Sequence, residues 1–200
     1  MIGARSSDWS PVRRTIESGE AFDVAILTSD VIGDLAKAGK ITAGTQTEIA
    51  RCGIGIGVRA GSAKLDIKTT DALKKALLAS KSITYAQDGA SAAYIVQMEE
   101  KLGIASQMKA KTILEQGSVR SNARVADGSA GMVLTLVSEI LPAPGVDLVG
   151  PLPAEVQHYV NFAEGIGPNS KNIDAGKALM KFFSSPAVAP TLKAKGMERP

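Results

Sequence analysis

The stretch Ile54-Gly55-Ile56-Gly57-Val58 decides between two α/β architectures. Alternating glycines could belong to a dinucleotide-binding loop, but such a loop must follow a strand and open a helix, its glycines letting the backbone approach a pyrophosphate. Here the glycines sit inside the apolar run itself. They read as a strand with one bare side, against which another backbone can come close. The dinucleotide reading is set aside, and the architecture has to come from the flanking segments.

Upstream, Ser10-Pro11 followed by Val12, Ile16 and Gly19 predicts a short helix with a hydroxyl cap, a proline at its first position and a glycine stop. Phe22 to Leu27 predicts a compact apolar strand. Asp30 is the expected cap of the next helix, with Val31, Ile32 and Leu35 on one face and Gly39 at its end. Downstream, Thr69 or Thr70 opens a helix carrying Leu73, Leu77 and Leu78. Ser82 to Ala86 is a short strand, and Ser91 to Leu102 a helix with Ile95, Met98 and Leu102 in a stripe. Gly117 to Ala126 predicts another helix, and Gly131 to Val137 a buried strand. Pro142, Pro144, Pro151 and Pro153 punctuate a connection that contains a small strand at Val146 to Val149. An apolar run around Val156 to Ile166 precedes a helix from Ala175 to Phe183. Short strands alternating with helices imply an α/β protein with mostly parallel sheets.

Bulk properties narrow the function. Among 200 residues, 44% are apolar and 22% charged, close to soluble globular averages, so a folded protein is expected. The formal charge of +3 comes from scattered basic residues rather than from a stripe, which argues against a nucleic-acid partner. Apolar runs such as Met132 to Val137 are far shorter than the roughly 20 residues that cross a bilayer. The single cysteine, Cys52, excludes an internal disulfide and lies in an apolar setting that predicts a buried, inert thiol. No metal site and no cofactor is expected. Met1 to Ser10 lacks the apolar core of a secretory signal.

No catalytic constellation stands out. His158 has no acidic or serine partner at a recognisable spacing, and Glu99 and Glu100 fall on what reads as the polar side of their helix. Two helix starts built of small residues carry more information. Gln87-Asp88-Gly89-Ala90-Ser91-Ala92-Ala93 directly follows a strand, and Gln116-Gly117-Ser118-Val119 is similarly small. Such starts hold anions through backbone amides and the positive end of the helix dipole, although ordinary capping uses the same residues.

The order of these elements resembles that of the molybdate-type (class II) periplasmic solute-binding proteins of ABC importers. The resemblance is carried by Phe-Asp-Val-Ala-Ile-Leu-Thr-Ser-Asp from Phe22 to Asp30, by the helix ending near Ile41, and by Glu-Lys-Leu-Gly-Ile from Glu100. Ser-Val-Arg from Ser118, Gly-Met-Val-Leu from Gly131 and the closing tail from Ala178 to Met197 complete it. It covers roughly residues 10 to 198. It implies two α/β lobes joined by two crossing strands, with lobe one formed by residues 1–80 and 162–200 and lobe two by residues 81–161. It also implies a small anion, an oxyanion or carboxylate, held between the lobes and delivered to a membrane permease by a monomeric, periplasmic protein. By position Ser10, Ser91 and Val119 match contacts of the family's oxyanion site, Val119 through its amide alone, with Ala90, Ala92 and Ser118 beside them. Asp8 and Trp9 stand where the family has small hydroxyl residues, and Leu134 stands where it often has a ligand-contacting tyrosine. The family's first strand and helix are expected to be missing, which predicts poor solubility or self-association of the 200-residue product.

Two other functions share such a fold. An isomerase acting on a small tricarboxylate such as aconitate would need a general base, for which Asp88, Tyr94 and His158 are candidates. The effector-binding half of a LysR-type regulator is the other, and no helix-turn-helix precedes this chain's first elements.

Overall fold

The structure, a computed structural model, describes residues 11–63 and 65–200. The chain forms two compact units, Met1–Arg51 with Val160–Pro200, and Cys52–Tyr159. It leaves the first unit between Arg51 and Cys52, upstream of the boundary near residue 80 that the resemblance implied, and returns between Tyr159 and Val160. The difference has a packing cause. Helix α3 (Thr70–Ala79) buries Leu73 and Leu77 and touches α5 (Ala105–Lys109), so it belongs to the second unit.

In the first unit, α1 (Pro11–Glu17), β1 (Val24–Thr28) and α2 (Ser29–Lys37) follow one another. β1 pairs antiparallel with β7 (Tyr159–Ile166), Ile26 opposite Glu164. Ile16, Ala25, Val31, Ile32, Leu35, Ile41 and Ala163 form a core beneath α1 and α2, each fully buried aliphatic side chain contributing about 1.5–3 kcal/mol of transfer free energy. Helix α2 starts two residues earlier than expected, with Thr28 in the capping position and Asp30 in its first turn. Its end is as expected: Gly39 adopts φ 70°, and Lys40 N donates to Leu35 O at 2.8 Å. The tail carries α8 (Ile173–Phe183) and, after a single 3-10 turn, α9 (Ala189–Ala194).

The second unit holds a mixed sheet. β2 (Thr47–Arg59) pairs antiparallel with β5 (Met132–Leu136) and with β6 (Val146–Pro151). β3 (Ile83–Ala86) runs parallel to β5 on one side and to β4 (Thr112–Glu115) on the other. The expectation of mostly parallel sheets therefore holds only for β4, β3 and β5. β4 was not foreseen, because its exposed and half-buried residues lack the apolar alternation that marks a strand.

The glycines of β2 do what their spacing suggested. A Cβ on Gly55 would lie 3.0 Å from Gly150 O, and one on Gly57 only 2.7 Å from Val146 Cγ1 and 2.8 Å from Val133 Cγ1. The bare side of the strand is thus filled by β6 and its neighbours. Cys52 is fully buried, its Sγ 3.3 Å from Ser138 Oγ, and burial pushes the thiol up from its ordinary range. No helix among the described residues is long and apolar enough to cross a membrane.

Candidate functional site

Because β4, β3 and β5 are parallel neighbours, their carboxyl ends lie along one edge of the second unit's sheet. Each is followed there by a helix start: β3 by α4 (Ala92–Lys101), β4 by α6 (Ser118–Ala126), and β5 by the short α7 (Val137–Ile140). In open α/β sheets this carboxyl edge is where ligands bind. The sequence reading found the first two starts. The third, Ser138-Glu139 directly behind a fully buried strand, has an acidic residue in its first turn and no run of small residues to mark it.

The loops before α4 and α6 are joined. Asp88 Oδ1 accepts a hydrogen bond from Gly117 N at 2.8 Å, and Gln87 N donates to Glu115 O at 3.0 Å. Gly117 has φ 78°, a conformation that needs no Cβ, and it turns the chain into α6. Neither α4 nor α6 has an acidic residue in its first turn, and Arg120 stands in that of α6. The partial positive charge of each helix start is therefore not neutralised from within the helix.

The predicted residues fall unevenly. Val119 is 82% exposed at the second position of α6, so its amide belongs to the orphan group of that helix start. Ser118 and Ala90 are half-buried in the two loops. Ser91 is only 4% exposed and precedes α4. Ala92 is buried and its amide is already spent on Gly89 O at 3.1 Å. Leu134 has no exposed surface; it lies in the middle of β5 opposite Ile56, packed rather than facing a ligand. Ser10 lies outside the described residues. Asn122, one turn beyond Ser118, was not foreseen: its Nδ2 donates to Ser118 O at 2.9 Å and to Glu139 O at 3.3 Å.

Of the three candidate bases, Asp88 is engaged with Gly117. Tyr94 and His158 are brought together, their rings stacked with centroids 3.3 Å apart, a pairing their 64-residue separation hid. Burial lowers the His158 pKa, favouring neutral imidazole. Glu99, expected on a solvated face, is instead 5% exposed with Oε1 unpartnered, and burial pushes its pKa up to about 7. No group of three or more His, Cys, Asp or Glu side chains able to hold a metal occurs among the described residues.

An α/β chain in two units, with helix starts gathered at a parallel carboxyl edge, defines a protein of the periplasmic-binding-protein type. The model of the bacterial extracellular solute-binding proteins matches residues 6–198, and the chain belongs to that family. Among solved structures it is similar to the periplasmic molybdate-binding protein of Azotobacter vinelandii, with a TM-score of 0.78, 17% identity, and 95% of this chain and 84% of that one covered. It is likewise similar to the substrate-binding domain of a molybdenum ABC transporter protein from Clostridium difficile, with a TM-score of 0.74, 17% identity, and 94% and 82% covered. At these identities the likeness establishes the fold. An aconitate isomerase from a Pseudomonas species is 26% identical over 184 residues, 90% of this chain and 68% of the relative.

Proposed function

We propose that this chain is the solute-binding component of an ABC importer, working outside the cytoplasmic membrane, and that it binds a small anion, an oxyanion or a carboxylate, without transforming it. The observation that carries this reading is the Asp88–Gly117 hydrogen bond, which holds the α4 and α6 starts together at the carboxyl edge of the second unit. Ser118, the Val119 amide, Ala90 and Ser91 are the contacts put forward here, with Ser10 as a further one. Ala92 and Leu134 are left out because the first has spent its amide and the second is closed off. A membrane permease is the proposed partner, and the protein is taken to be monomeric. Thermal denaturation in molybdate, tungstate, sulfate and small carboxylates tests this. A ligand that binds only the folded chain at one hundred times its Kd adds about 2.7 kcal/mol and raises the midpoint. No shift with any anion would overturn the reading.

A second reading has its own support. The similarity to an aconitate isomerase and the stacked Tyr94–His158 pair, with its imidazole held neutral, fit a proton-transfer site. Solvent-deuterium exchange into a bound tricarboxylate would establish that activity, and its absence under conditions where the ligand binds would remove it.

A further inference from the structure

A half-open groove of about 790 Å³ in the second unit runs the length of α6. One wall is a single helix face that includes Val119, Ala123 and Ala126; the other is Pro142, Ala143 and Pro144, beyond α7. A volume of this size sits within the roughly 300–1,000 Å³ typical of sites for small organic molecules. A four-oxygen ion at the helix start would leave most of that apolar wall untouched.

The polar groups of the cavity divide by chemistry. Ser118, the orphan amides of α6 and the Ser138 hydroxyl supply donors at one end. Beside them Glu139 lines the cavity; it accepts the Thr135 hydroxyl, and a carboxylate with about four lone-pair sites keeps capacity for another donor. Asn122, 5% exposed, also lines the cavity, and with its NH₂ committed to Ser118 O and Glu139 O its Oδ1 has no partner. At the far end stands Asp127, held ionised by its hydrogen bonds from Ser129. No lysine or arginine lines the cavity. Donors for a negative charge occur only at the helix start, where the Asp88 carboxylate already holds Gly117 N, and the adjacent acceptor wall repels a second anion.

We infer that the ligand is a zwitterionic acid with an apolar body, its carboxylate at the start of α6, its ammonium group against Glu139 and Asn122, and its apolar part between Ala123 and Pro142. This rests on the anion-binding reading above and narrows it to amino-acid-like solutes. A polycarboxylate or a bare oxyanion does not match the acceptor wall.

Calorimetric titration of the whole chain with leucine, 4-methylpentanoate, 3-methylbutylamine and molybdate tests the inference, because the second and third lack only the ammonium or only the carboxylate of the first. Leucine is expected to bind at least tenfold more tightly than either truncated analogue. Glu139→Gln, which keeps an acceptor for Thr135, is expected to weaken leucine at least tenfold while leaving 4-methylpentanoate equal or better. Equal binding of leucine and 4-methylpentanoate to the unaltered chain would overturn the inference, as would molybdate binding without leucine, and in both cases the anion reading would stand. Binding of the amine alone, or of none of the four, would also overturn the inference, and the anion reading would then rest on the wider thermal-shift series. Circular dichroism checks that the variant folds, and if it does not, the four-compound series on the unaltered chain decides alone.

Discussion

Asp88 Oδ1 sits 2.8 Å from the amide nitrogen of Gly117, so one carboxylate at the end of β3 fixes the loop that leaves β4. The contact crosses two parallel strands that are 29 residues apart in the chain. It makes the two small-residue helix starts a single edge rather than two separate caps. Replacing Asp88 by Ala should cost about 1–2 kcal/mol in denaturant unfolding, since a half-buried, charge-assisted hydrogen bond is lost. Unchanged stability would mean that the loop is held by other contacts.

Ser118→Asp separates stability from binding. An acidic residue in the first turn of α6 complements the helix dipole and should add about 0.5 kcal/mol. The same charge stands where the bound anion is proposed to lie, so affinity should drop at least tenfold in titration. A variant that gained stability and kept its affinity would place the ligand elsewhere.

Glycines provide a contrast between space and strain. Gly57→Ala puts a methyl 2.7 Å from Val146 Cγ1 and 2.8 Å from Val133 Cγ1 in a packed sheet, which should destabilise the chain by about 1–3 kcal/mol or more. Gly33→Ala in α2 meets nothing within 4 Å and keeps an ordinary helical backbone, so it should stabilise by up to about 1 kcal/mol. Chemical denaturation of both variants measures the opposite signs.

Glu99 should make stability fall as pH rises. In the unfolded chain its carboxyl titrates near 4.5, whereas burial beside Tyr85 raises the folded value to about 7. Below about 4.5 the acid is neutral in both states and there is no penalty. Between 4.5 and 7 the unfolded state ionises first, so stability drops by about 2–3 kcal/mol and stays lower above 7. Glu99→Gln should flatten that part of the pH profile and stabilise the protein at pH 8, as read from urea midpoints across the range.

Tyr94→Ala exposes His158, whose pKa is held down by burial. The imidazole should then titrate closer to its ordinary 6.5, as followed by its proton NMR shifts. In the unaltered chain the depressed value means that stability is lost as pH falls through the unfolded pKa, because the unfolded histidine takes up its proton first. An unmoved titration would mean that the ring is shielded by something other than Tyr94.

The residues themselves gave the local elements. Leu35 with Gly39, Thr69 with Leu73 and Leu77, and the alternation of Ile54 to Val58 each identify a helix or strand from its own period and end signals, because these depend on neighbours a few residues away. The family resemblance, resting on the order of such elements, was legible for the same reason. What the chain order hid was everything set by pairing across it. β4 is a strand through its pairing with β3, whereas Glu99, four residues after Ile95 and three before Leu102, stands on the apolar stripe by spacing and only its charge points to solvent. Tyr94 met His158, and Asn122 of α6 met Glu139, through contacts that no local pattern encodes. Helix caps and periodicity are short-range chemistry and can be read in one dimension. The composition of a cavity depends on which strands lie side by side, and that is decided only when distant apolar faces are buried together.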